Sequence, residues 1–258
     1  TYAKRQAIRG RINETTFPRC RARLRLAMET QASRGVPTVA RIRVAVVEDE
    51  PLFRGLLQHY LSQHPRLEVV GAYADGTAAL EGVLADKPDV VTLDIELPGQ
   101  LDGIQAGLAL RRQLPGLGIV ILSNHTDPRF LGSLAPEAIS GWSYLLKKSV
   151  SQVEILDRAV EGAAAGTVTL DPAIVAGMRP RSGGPLERLT PRQREIIALV
   201  AQGLTNAAIA EQLVLAEKSI ENQLTVIYGE LGIDRRELDR SVHPRVSAVL
   251  AYLKHSRL

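Results

Sequence analysis

The sequence predicts a doubly wound α/β domain followed by a small all-helical domain. Three observations carry that reading. From Arg41 onward, short β-branched runs alternate with amphipathic segments, the pattern of a βαβ series. A dense set of helix and strand breakers (Gly166, Pro172, Gly177, Pro180, Gly183, Gly184, Pro185) then interrupts the chain. Beyond Leu189 only helical periodicity remains. The 258 residues leave room for two domains and a tail, and 45% apolar with 23% charged residues is the balance of a chain that buries cores. Wholesale disorder and collagen-like repeats are thereby excluded.

Residues 1–40 alternate arginine with small residues (Arg19, Arg21, Arg23, Arg25), show no sustained apolar period, and read as a largely disordered tail. Residues 1–43 hold 11 lysines and arginines against 2 acids, residues 44–160 hold 9 against 15, and residues 186–258 hold 10 against 9. The net charge of +4 therefore comes mostly from the tail, while the middle of the chain is acidic. Two uses of the tail stay open. It is a basic arm that contacts nucleic-acid phosphates, or, since the chain does not begin with Met and Met28 lies just upstream of the first strand, an upstream remnant.

Strands are expected at 42–47, 68–73, 90–94, 118–123 and 141–146, near-continuously apolar as parallel strands covered on both faces require. Helices are expected at 51–63, 76–86, 102–113, 128–135 and 150–165, which gives five βα units over 41–163, a flavodoxin-like domain in size. Residues 164–185 read as a linker with one or two helical turns at 172–178. The second domain, 186–258, contains helices at 191–202, 206–213, 217–231 and 244–254. Thr190 before Pro191, and Thr205 or Asn206, supply the starts, and Gly203 and Gly232 the stops.

In a doubly wound sheet, function collects beyond the carboxyl ends of the strands. Here those ends carry Glu48 and Asp49 (strand one), Asp94 (strand three), Ser123 (strand four) and, one residue past the fifth strand, Lys147. Carboxylates at adjacent strand ends repel one another and call for a hard cation with oxygen ligands, most simply Mg²⁺. A carboxylate so placed can attack a phosphoryl group while Lys147, the metal and the Ser123 hydroxyl neutralise its oxygens.

The words E-D, L-D-I-E-L-P-G, L-S-N and Y-L-L-K at these strand ends resemble a response-regulator receiver domain over roughly 41–163. The resemblance implies that Asp94 accepts phosphate from a histidine kinase. It implies that Asp49 and Asp94 ligate Mg²⁺ with the Glu96 backbone carbonyl while Glu48 supports the metal. Ser123 and Tyr144 form the switch, and Lys147 holds the phosphoryl oxygens. Two departures accompany it. Glu48 stands where an Asp is usual, and the P-G-Q-L-D-G loop is one residue longer than the usual P-G-x-D-G. His125 reads as a loop histidine and Trp142 as core packing.

In the second domain, L-T-P-R-Q-R-E-I-I-A-L-V-A-Q-G-L-T-N, A-I-A-E-Q-L, E-K-S-I-E-N-Q-L and L-G-I are similar to the LuxR/NarL/FixJ helix-turn-helix. By that resemblance 217–231 is the recognition helix. Lys218, Ser219, Glu221, Asn222 and Thr225 face the major groove, with Lys218 and Ser219 mainly on phosphates, Asn222 on an adenine edge and Thr225 on a thymine methyl. Arg192 and Arg235 are further phosphate contacts. Glu221 and Gln223 stand where relatives often carry a basic residue and His. Weak single-site binding makes a homodimer on two half-sites the expected active form, and Val246, Val249, Leu250 and Leu253 on the last helix are either its contact or packing within their own domain.

The chain is thus expected to be a cytoplasmic response regulator and transcription factor, controlled by phosphorylation of Asp94 with Mg²⁺, with a histidine kinase and promoter DNA as partners. The alternative is a phosphorylation-independent regulator that binds DNA constitutively or through a protein partner. A phosphatase of the haloacid dehalogenase class is disfavoured because D-I-E-L-P lacks D-x-D-x-T, and no G-x-G-x-x-G follows strand one. A single cysteine, Cys20, excludes an internal disulfide, and no apolar stretch is long enough for a bilayer.

Overall fold

The computed structural model describes residues 40–126, 128, 131, 136–233 and 243–257. The chain divides into Thr1–Ala40 and Arg41–Leu258. The expected tail, Cys20 and Arg235 lie outside the described residues, as does most of the helix expected at 128–135.

The second unit begins with β1 (Ile42–Val47), α1 (Pro51–Gln63), β2 (Leu67–Tyr73), α2 (Gly76–Asp86), β3 (Val90–Asp94), α3 (Gly103–Gln113), β4 (Gly118–Ser123), α4 (Pro136–Ile139) and β5 (Trp142–Leu146). A 3₁₀ turn (Lys147–Ser151) and α5 (Val153–Ala164) follow. The strands are parallel and buried on both faces, which is why they read as apolar runs. Ala45, Val47, Leu93, Ile121 and Tyr144 face the side covered by α2 and α3, while Val44, Val46, Val120 and Leu145 face α1 and α5. The sheet order β2-β1-β3-β4-β5, continued by a sixth strand, β6 (Thr169–Leu170), reverses direction at β1 and β3, so the crevice at their carboxyl ends is the natural site.

The sixth strand comes from the expected linker. Thr169–Leu170 forms β6 and pairs in parallel with β5. Then come α6 (Pro172–Gly177), β7 (Arg179–Pro180) and α7 (Pro185–Arg188). Val168, Leu170, Ile174, Val175 and Met178 are buried in one apolar cluster that runs from the sheet into the helical domain. The segment is a packed element rather than a flexible tether. Its breakers end short elements without freeing the backbone.

The helical domain contains α8 (Pro191–Ala201), α9 (Asn206–Leu213), α10 (Glu217–Glu230) and α11 (Pro244–His255), ended by β8 (Ser256–Arg257). Thr190 caps α8 in a reciprocal capping box with Gln193, and the Thr205 hydroxyl caps α9. Gly203, with φ of 77°, ends the α8 region against the Thr169 side chain, so the turn abuts β6. Arg158 on α5 donates to the Gln202 carbonyl at 3.3 Å across the same junction.

Val246, Val249, Leu250 and Leu253 are buried within the chain, as are Ala248 and Tyr252 on the other side of α11. In the single chain this face is packed internally: α11 is covered by α8 and also touches α4 of the first domain. β8 closes the arrangement by pairing antiparallel with β7, and the Arg181 amide and guanidinium donate to the carbonyls of His255 and Ser256 at 2.8 and 2.9 Å. Among the described residues, no helix is long and apolar enough to cross a membrane.

Candidate functional site

Glu48 and Asp94 end neighbouring strands and are buried, at 0% and 2% exposure, while Asp49 is exposed beside them. One carboxylate oxygen from each lies within 4.8 Å of the others. The β1–α1 turn that presents the pair is fixed by Arg54, whose guanidinium donates to the carbonyls of Glu48 and Asp49 at 2.5 and 3.1 Å. Lys147, delivered by the end of β5, donates to Glu48 Oε1 at 2.9 Å and to Asp94 Oδ2 at 2.8 Å, and its ammonium lies 5.2 Å from the Phe53 ring centroid.

The electrostatics follow from burial. Desolvation pushes the Glu48 carboxyl above its ordinary value, more than the Lys147 hydrogen bond draws it down. Burial also disfavours the Lys147 charge, but the hydrogen bonds and Coulomb attraction of Asp94 and Glu48 outweigh it and hold its pKa above the ordinary lysine value.

The donor set fits a hard divalent ion. Three carboxylates offer oxygens within 4.8 Å of one another, and Glu48 Oε2 is buried with no hydrogen-bond partner among the described residues, an acceptor that a cation or its water would satisfy. Glu48 reaches Lys147 with its extra methylene and keeps one oxygen in reserve.

The long loop after β3 is anchored at both ends. The Glu96 amide donates to Asp94 Oδ1 at 3.2 Å, the Gly103 amide to the Ile95 carbonyl at 3.0 Å, and Asp102 starts α3 with a capping box to Gln105. The Glu96 carboxylate accepts from Asn124 at 3.4 Å and lies 3.0 Å from His125 Nε2. Those contacts hold its carboxyl below the ordinary carboxylate range, the His125 bond first. His125 is an exposed loop histidine, as expected, and its ring also meets the Glu96 carboxylate.

Ser123 Oγ accepts from the His125 amide at 2.9 Å, and the buried Tyr144 hydroxyl donates to the His125 carbonyl at 2.9 Å. The two expected switch residues thus meet on one peptide segment. Trp142 is wholly buried under α3, as a packing residue.

Sequence reasoning passed over Asp171. It is fully buried, caps α6 by accepting from the Ala173 amide at 2.8 Å, and accepts from the Leu146 amide at 2.9 Å. An Asp directly before a Pro inside a breaker-rich stretch is a helix-start signal, and it marked the residue.

On α10, Lys218, Glu221, Asn222 and Thr225 share the outer exposed face, while Ile220, Leu224, Ile227 and Tyr228 are buried. Ser219 is half-buried on the flank. Lys218 Nζ is 2.7 Å from Glu221 Oε2, and the Thr225 hydroxyl donates to the Glu221 carbonyl at 3.0 Å. Arg192 is engaged by Glu195 at 2.6 Å and by the Leu213 carbonyl at 2.7 Å.

An acidic pocket with an opposed lysine on a doubly wound sheet, joined to a helix-turn-helix with an exposed second helix, defines a receiver-type α/β domain built onto a helix-turn-helix domain. Comparison with known proteins agrees. Residues 44–160 match the model of the response regulator receiver domain, and residues 187–237 that of the bacterial regulatory proteins of the luxR family. The chain is 32% identical over 201 residues to the DNA-binding transcriptional activator DevR/DosR of Mycobacterium tuberculosis, covering 76% of this chain and 90% of that protein. It is 33% identical over 204 residues to the probable transcriptional regulatory protein NarL of the same species, covering 78% and 92%. The crystal structure of the response regulator ChrA from a heme-sensing two-component system matches 83% of this chain and 96% of that one, at 27% identity and a TM-score of 0.42. The chain belongs to the two-component response regulators that carry a LuxR-type helix-turn-helix, a family of DNA-binding transcriptional regulators and not of enzymes.

Proposed function

We propose that this response regulator is switched by phosphorylation of Asp94 by a sensor histidine kinase with Mg²⁺, and that the switch controls dimerisation and promoter binding in the cytoplasm. The observation that carries the proposal is the Lys147 ammonium set between Glu48 and Asp94, with Asp49 completing the acidic pocket. In the transfer, an Asp94 carboxylate oxygen attacks phosphorus, the N–P bond of the phosphohistidine breaks, and the imidazole leaves with the electron pair. Mg²⁺ held by Glu48, Asp49, Asp94 and the Glu96 carbonyl would neutralise phosphoryl charge when bound.

Lys147 must give up its bond to Asp94 Oδ2 and turn to the new phosphoryl oxygens. Ser123 can turn its hydroxyl to the same group only by releasing the His125 amide, and Tyr144 is tied to that residue's carbonyl. Strand β5 thus receives the change from Lys147 at its end and Tyr144 in its middle. It passes it to β6 and Asp171, and so to the segment that holds α11. Release of α11 would free the Val246, Val249, Leu250 and Leu253 surface for a second copy, and two recognition helices would then engage two half-sites.

Incubation with acetyl phosphate and Mg²⁺ followed by intact-mass measurement tests the proposal. It expects an increment of about 80 Da in the wild type, absent in Asp94→Asn, together with tighter DNA binding. DNA binding without any adduct would favour the constitutive reading, with Glu48 as the first residue to replace by Asp.

A further inference from the structure

The outer face of α10 carries an acid where a DNA-facing helix would be expected to avoid one. Glu221 is exposed, shares its face with Lys218, Asn222 and Thr225, and lies in the second turn, in the N-terminal half of the helix that enters a major groove. A carboxylate there is repelled by phosphates on both sides of the groove unless a base edge rewards it. The domain is nearly neutral, with 10 basic residues against 9 acids in 186–258, so general attraction to phosphate does little to offset the repulsion.

An ionised carboxylate only accepts hydrogen bonds. The donors on major-groove edges are cytosine N4 and adenine N6, and adenine places the N7 acceptor beside its amino group, against which a second carboxylate oxygen is repelled. Cytosine N4 has an acceptor on one side only, its own ring turning C5–H to the groove on the other. Its paired guanine presents O6 and N7, acceptors that suit an ammonium. The Lys218 ammonium lies 2.7 Å from Glu221 Oε2, so acceptor and donor stand side by side on the helix in the order that a C·G pair presents donor and acceptor. The bond between the Thr225 hydroxyl and the Glu221 carbonyl keeps Thr225 on the same stripe.

We infer that Lys218 and Glu221 act as one unit that reads a C·G base pair in each half-site, Glu221 accepting from cytosine N4 and Lys218 donating to the guanine of the same pair. This moves Lys218 from a phosphate contact to a base contact, and it rests on the reading of α10 as the recognition helix.

The test is selection of the full chain against randomised duplex DNA, followed by fluorescence-anisotropy titration of the selected site and its single-base-pair variants at one fixed salt concentration. The proteins compared are the wild type, Glu221→Ala, Glu221→Gln and Lys218→Ala. The wild type should select one C·G pair per half-site whose replacement weakens binding by about tenfold or more. Glu221→Ala and Lys218→Ala should each erase discrimination at that same pair and leave the others intact, and Glu221→Gln should shift it toward A·T. Both side chains are exposed, so circular-dichroism melting curves should superimpose. Two results overturn the inference. In one, Glu221→Ala binds every sequence more tightly with preferences unchanged, which makes the carboxylate mere repulsion. In the other, Lys218→Ala weakens all sequences alike and lowers the salt slope by about 1, the mark of a phosphate contact. A wild type that selects no sequence at all would overturn instead the recognition-helix reading beneath it.

Discussion

The Asp171 carboxylate accepts a 2.9 Å hydrogen bond from the Leu146 amide, and the Asp171 amide returns one of 2.8 Å to the Tyr144 carbonyl. The segment that leads to the helical domain is therefore fastened to the two residues that flank the last step of β5 before Lys147. Replacing Asp171 by Ala leaves the Leu146 amide buried without its partner and removes the α6 cap, a cost of about 1–3 kcal/mol for the first and about 1 kcal/mol for the second. Thermal unfolding should register that loss. If the clamp also transmits the switch, Asp171→Ala should bind promoter DNA equally well with and without acetyl phosphate, at an adduct yield equal to wild type. A variant that stays fully phosphorylation-dependent removes Asp171 from the transmission path.

Gly103 sits where α3 begins, and a Cβ there would overlap the carbonyl oxygen of Asp94. Gly103→Ala must push either the phosphoacceptor or the long loop away, with an overpacking cost of about 1–3 kcal/mol. The expected outcome is a lower rate of adduct formation from acetyl phosphate by intact mass, alongside a depressed melting temperature. An unchanged rate would mean that the loop yields and Asp94 does not.

Burial raises the Glu48 carboxyl above 4.5, so the folded state binds its proton more tightly than the unfolded chain does. The sign follows: this group's favourable contribution is complete below 4.5 and is lost as pH rises through the raised folded value. A cation in the pocket offsets that loss because it binds the deprotonated form. Mg²⁺ should therefore raise the melting temperature more near pH 7.5 than near pH 5. Glu48→Gln should flatten the pH dependence of the metal-free protein and shrink the Mg²⁺ increment, as scanning fluorimetry in buffers of equal ionic strength would read. Equal increments at both pH values would dissociate Glu48 from the metal.

The strands that build the pocket were legible because parallel burial writes them as unbroken apolar runs, and their ends carry the acids and Lys147. β6 was not, because two residues, Thr169 and Leu170, amid glycines and prolines have no period to detect. The pairing of β7 with β8 is equally silent, since Arg179 and Pro180 meet residues some 75 positions away through backbone groups. On α11 the spacing of Val246, Val249, Leu250 and Leu253 announces an apolar face. Periodicity names no occupant for it, and burial of Ala248 and Tyr252 on the other side shows how completely the chain itself covers that helix. Glu48 was visible as a substitution for Asp, but its free buried oxygen required coordinates.

Deleting residues 256–258 removes β8 and with it the antiparallel pairing to β7 and the bond from the Arg181 guanidinium to the Ser256 carbonyl, while leaving α11 its full length. Among the described residues, the hydrogen bonds lost are those of the backbone pairing and one side-chain bond, each of net worth about 0.5–1.5 kcal/mol, so the domain should stay folded while the equilibrium between covered and released α11 shifts. If that covering holds the dimer surface in reserve, the shortened chain should show a larger dimer fraction by sedimentation velocity, and tighter binding to a two-half-site duplex, without any phosphate donor. The two readings should move together, because paired recognition helices gain affinity only when both half-sites are engaged. A shortened chain that remains monomeric and binds DNA as the full chain does would assign α11 to internal packing alone and leave dimerisation to another surface.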